Sequence, residues 1–133
     1  MTQFHGDIKG GTKLDSILNS TKKMLGLTED YEYFDQDIIM HINSVFMILN
    51  QIGIGPSECF SIKDSSSTWD EFKQGDETLA SVKTYMYMKV KTMFDPPQSS
   101  VVMEATNKVI NELEFRLKVA ADLSANKNSD DSE

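Results

Sequence analysis

An all-α fold is predicted: a small bundle of about four main helices with an irregular segment over 53–75. Three observations predict it. Apolar residues recur at the 3.6-residue period over long runs, which marks helices with one buried face. The hinge Phe94-Asp95-Pro96-Pro97 stops one such run and starts another. Proline cannot continue a helix and pushes the residue before it out of the α region. Lastly, no Val/Ile-rich alternation is long enough for a substantial sheet.

Residues 1–13 are polar, contain Gly10 and Gly11, and read as a flexible N-terminal arm. The domain proper spans 14–123. Its first helix covers 14–25, with apolar residues at 14, 17, 18, 24 and 25 and Gly26 directly after in the C′ position. Residues 28–37 carry Glu29, Asp30, Glu32, Asp35 and Asp37 between Tyr31, Tyr33 and Phe34. Acids there suit the positive N-terminus of the next helix.

That second helix runs over about 36–52. Ile38, Ile42, Val45, Leu49 and Ile52 form its stripe, widened by Ile39, Phe46 and Ile48. Gly53-Ile54-Gly55-Pro56 ends it. Within 57–75, Phe60 and Ile62 alternate with Ser61 and Lys63, which predicts a short extended piece or hairpin. Thr68 ahead of Trp69-Asp70-Glu71-Phe72 predicts a capped one-turn helix.

The third long helix covers 77–94. Leu79, Val82, Met86, Val90 and Met93 make its inner stripe, and Tyr85, Tyr87 and Met88 spread apolar character around the circumference. In 100–123 the expected inner stripe is Val102, Ala105, Val109, Leu113, Leu117 and Ala120, with Val101, Ile110 and Phe115 off it. The hinge thus joins an antiparallel helical hairpin. Residues 124–133 are polar and acidic and read as a disordered tail.

The chain has 133 residues, 39% hydrophobic and 26% charged, which is enough for one cored domain. No apolar run approaches the roughly 18 residues that span a bilayer, and 1–13 lacks the apolar core of a signal peptide. The net charge of −8 and the one arginine, Arg116, exclude a conventional nucleic-acid surface. A single cysteine, Cys59, excludes an internal disulfide framework and fits a reducing compartment.

Nothing in the chain reads as reaction chemistry. Cys59 has no histidine near it in sequence, and His5 and His41 are distant. The acids of 28–37 and 64–77 lack the ligand alternation of a calcium loop. There is no phosphate-binding glycine loop. Catalytic, cofactor and metal sites are all expected to be absent. What the chain offers instead is apolar surface beyond the needs of one bundle. Trp69, Phe72, Tyr85, Tyr87, Met88 and Phe115 are the candidates for contact with another chain, since aromatics concentrate at interface centres.

Several stretches taken in order resemble the small head–tail connector proteins of tailed phages. They are Leu14 to Ser20 with Met24-Leu25-Gly26-Leu27, Phe34 to Phe46, Leu49 to Pro56, Thr68 to Phe72, the hinge, and Glu112 to Leu117. The resemblance covers about 14–120. It implies a helical, non-enzymatic adaptor of the virion neck, made in the host bacterial cytoplasm. Such proteins form a closed ring, typically twelvefold, on the portal protein. They bridge it to the next neck component, a stopper or tail protein, and the genome passes through the lumen without sequence-specific binding. The resemblance also implies portal docking by the end of the last helix and the tail, for which Lys118, Asp122, Leu123 and Lys127 are the candidates. A helical regulatory protein that binds a protein partner as monomer or dimer is the alternative.

Overall fold

A computed structural model describes residues 15–72 and 76–131. The chain is all-α. Its helices are α1 (Ile17–Met24), α2 (Asp35–Ile52), the one-turn α3 (Trp69–Phe72), α4 (Asp76–Phe94) and α5 (Ser100–Asp131). The expected arm over 1–13 lies outside the described residues.

Helix α4 is the centre of the bundle. It packs along α2 on one side and α5 on the other, and also touches α1. Its placement follows from its sequence. Val82, Tyr85, Met86 and Val90 are all buried, so its apolar band is wider than a single contact needs. Helix α2 brings Ile38, Ile42, Val45, Phe46 and Leu49 into the core, every one buried. Helix α1 adds Ile17 and Leu18, and α5 adds Ile110 and Leu117. Each such side chain contributes roughly 1.5–3 kcal/mol through burial.

Ser16 caps α1: its Oγ accepts from the Asn19 N–H at 3.2 Å and donates to the Ser65 carbonyl at 2.7 Å. The 65–70 segment is thereby stitched to the start of α1. The Ile17 N–H donates to the Ser67 carbonyl at 3.0 Å, and Trp69 Nε1–H donates to Ser20 Oγ at 3.2 Å. At the other end of α1, Lys22 is fully buried. Its Nζ donates to the Glu29 carbonyl at 2.9 Å and pairs with Asp35 Oδ1 at 2.8 Å. Asp35 Oδ1 is buried with no aligned hydrogen bond, so this ion pair is what compensates it.

The expected hairpin in 57–75 is replaced by a different device. The described residues contain no strand, only an isolated bridge between Ser16 and Thr68. The backbone of Ile62 pairs instead with a side chain. Its N–H donates to Asn43 Oδ1 at 2.8 Å and its carbonyl accepts from Asn43 Nδ2 at 3.0 Å. The carboxamide of α2 thus does the work of a neighbouring strand. The expected one-turn helix is present as α3, and Glu71 Oε1 accepts the Thr68 N–H at 3.2 Å, half of a capping box. Gly55 has φ +97°, and a Cβ there would lie 2.7 Å from the Phe72 ring. Only glycine lets Phe72 press against that turn.

The hinge is where the proline pair puts it. Helix α4 ends at Phe94, whose ring meets Phe34 edge-on at 5.1 Å, and Ser99 Oγ accepts the Val102 N–H at 3.4 Å at the start of α5. Helix α5 differs from expectation in two ways. Its buried face carries Ile110 and Leu117, with Met103, Thr106 and Leu113 half-buried beside them, whereas Val102, Ala105 and Val109 are exposed. The inner stripe is therefore rotated by about one residue, because the bulkiest side chains take the contact with α4. The helix also continues through 124–131, where a disordered tail is expected. No proline or glycine stops it, and the exposed side chains of 124–127 bring no packing of their own. On α4, Met93 is exposed rather than inside.

Candidate functional site

The six aromatic and apolar contact candidates divide sharply. Trp69 and Phe72 are each 1% exposed and Tyr85 is 0% exposed. Trp69 and Phe72 join Phe46 and Phe60 in an aromatic cluster with centroids 5.0–6.1 Å apart. Their surface is spent inside the subunit, where they hold the 57–72 excursion against α2. Tyr85 faces α5, and its Oη donates to Glu114 Oε2 at 2.6 Å. Burial first, then the bond to Glu114 and its charge, raise the phenol well above its ordinary value. A neutral phenol locked to a carboxylate clamps the hairpin.

The other three reach the surface. Tyr87 and Met88 are half-buried and line a groove of about 650 Å³ beside the hinge, with Met24, Thr92, Pro97 and Val102. Phe115 is 66% exposed on the outer face of α5. Val119 and Leu123 follow at four-residue steps on the same face, so one apolar ridge runs along the solvent side of the helix. Lys118, Asp122 and Lys127 are exposed near it.

Val101, Val102 and Val109 also present apolar surface on α5, as do Met40 and Met47 on α2. Val102 and Val109 fall on the expected inner stripe of α5, whereas Val101 already lies off it. The row of Ile110, Leu113 and Leu117, the largest aliphatics of the helix, was the signal that could have found them.

Cys59 is exposed in the excursion and His41 is half-buried on α2. Among the described residues no three His, Cys, Asp or Glu side chains come together as metal ligands. No described helix is long and apolar enough to cross a membrane.

The whole helical body, from Ile17 at the start of α1 to the outer face of α5, coincides with one family match. The family model for phage connector proteins aligns with residues 17–124. The chain belongs to the phage connector protein family. Its role is accordingly a structural one in joining phage head and tail, not an enzymatic one. No curated protein and no solved structure matches the chain. The match spans both surfaces of this connector, the hinge groove and the ridge as far as Leu123, and ends where the polar turns of α5 begin.

Proposed function

We propose that this connector is a head–tail adaptor that assembles as a ring on the portal protein and bridges it to the next neck component, a stopper or tail protein. The observation that carries the reading is the outer face of α5. Phe115, Val119 and Leu123 remain exposed after the bundle has completed its core, within a chain of the connector family. Apolar ridges of this kind are the usual material of subunit contacts. Tyr87, Met88 and Phe115 are the side chains we assign to the ring contact. Trp69, Phe72 and Tyr85 act behind them by holding the supporting elements rigid.

The end of α5, with Lys118, Asp122, Leu123 and Lys127, is the segment we assign to portal docking. Its polar turns project with little support from the bundle, which suits an element that is ordered by a partner. The ring, twelvefold as in similar connectors, would sit in the virion neck after synthesis in the bacterial host. The genome would pass its lumen without sequence-specific contact, since a net charge of −8 repels the duplex and keeps it from sticking.

Electron microscopy of the chain mixed with the portal protein of the same phage tests the reading. Rings seated on portals are the expected result. Absence of any ring or portal complex at every concentration would overturn it.

A further inference from the structure

Two exposed apolar features stand at different places on this connector. The groove beside the hinge is lined by Met24, Tyr87 and Met88 and closed at its end by Pro96 and Pro97. The ridge of Phe115 and Val119 stands on the outer face of α5, and Val119 is roughly 25 Å along that helix from the groove residue Val102 at 1.5 Å per residue. One copy therefore cannot cover its own groove with its own ridge.

Charge marks both features. On the groove's α4 wall, Lys91 Nζ pairs with Asp95 Oδ2 at 3.3 Å. On the ridge, Arg116 Nη2 pairs with Glu112 Oε2 at 2.7 Å. Both pairs are exposed and four residues apart, so each is weak and free to exchange partners. Their order along the chain is opposite: positive then negative on α4, negative then positive on α5.

We propose that the Phe115 and Val119 ridge of one copy seats in the hinge groove of a second copy, with α5 of the first parallel to α4 of the second. In that direction Glu112 faces Lys91 and Arg116 faces Asp95. The reverse direction would set Arg116 against Lys91 and is repelled. Val119, nearly one turn beyond Arg116, then lies at the hinge end of the groove, which Gln98 lines, and Leu123 is carried past that end, where it stays available to another partner. Ridge and groove are different surfaces, so the contact is heterologous and propagates from copy to copy until it closes. The inference rests on the ring assembly proposed above and supplies its contact.

Cross-linking on the portal tests it. In a Cys59→Ser background, Gln98→Cys and Val119→Cys are placed in one chain, both at exposed positions outside the core. Bismaleimide treatment of the portal-bound protein is expected to give a ladder of covalent multimers. Single-cysteine variants with different tags, mixed on the portal, are expected to give only dimers carrying one tag of each kind. If rings form on the portal but cross-links are absent, or join only identical positions, the contact lies elsewhere and the adaptor reading survives alone. If no portal-bound assembly forms, both fall. The register has its own arm. Lys91→Glu and Glu112→Lys should each lower the ring fraction, and the two together should restore it; failure to restore overturns the parallel arrangement.

Discussion

Lys22 carries its charge into the junction of α1 and α2 because the Glu29 carbonyl and Asp35 both await it there. Removing one partner of a buried pair leaves the other uncompensated, which costs more than the pair itself contributes. Asp35 keeps 21% of its side-chain surface in solvent, so part of the penalty is relieved. Lys22→Ala should therefore lower the unfolding free energy by about 2–3 kcal/mol in urea titrations. Tyr85 supplies a pH dependence. Its folded pKa is raised above the ordinary value of 10.0, first by burial and then by Glu114. The unfolded chain thus releases this proton before the folded chain does. The stability linked to Tyr85 is fully present below pH 10 and is lost as pH rises above it. Urea midpoints should fall on the alkaline side in the parent, and Tyr85→Phe should flatten that fall while costing about 1 kcal/mol at neutral pH.

At the scale of elements, the 57–72 excursion depends on one side chain of α2. Asn43→Ala would strip both backbone hydrogen bonds from Ile62 and leave a buried residue's amide without its partner. A loss of about 2 kcal/mol is expected. Hydrogen exchange should show the 57–68 amides deprotected before those of α2. The last turns of α5 behave in the opposite way. Truncation after residue 123 removes helix whose described side chains, 124–127, are exposed, so stability should change by less than about 0.5 kcal/mol. Far-ultraviolet circular dichroism should lose helical signal, and portal binding should be lost with it. These two elements also show where sequence patterning runs out. Helix α2 was legible because its isoleucines, Val45 and Leu49 left one face only. Helix α5 shared Leu113 and Leu117 between two possible faces, one through Val102 and Val109 and one through Met103 and Ile110. Contact with α4, which no local period records, chose the second. The Asn43 pairing was illegible for a related reason, since a side chain replaced the strand that alternation suggested. Of the contact candidates, Phe115 was legible because it lay off either stripe. Trp69, Phe72 and Tyr85 are buried, and spacing alone does not decide this because large aromatics serve cores and interfaces equally well.

For the whole molecule, acidity and assembly belong together. With a net charge of −8 and one arginine, the chain should leave a DNA duplex unshifted in gel assays at physiological salt. A shifted band would contradict an inert passage for the genome. Part of the exposed apolar surface, Phe115, Val119 and Leu123, lies on the side of α5 away from the core. One interior feature is open to direct observation. Trp69 is the chain's single tryptophan, buried under the excursion, with its indole N–H held by Ser20 and the Lys83 ammonium 5.8 Å from the ring centre. All indole fluorescence therefore originates at the seam between α1, α2 and the excursion. Emission colour becomes an intrinsic gauge of whether that seam is closed, legible in the free protein without any attached dye.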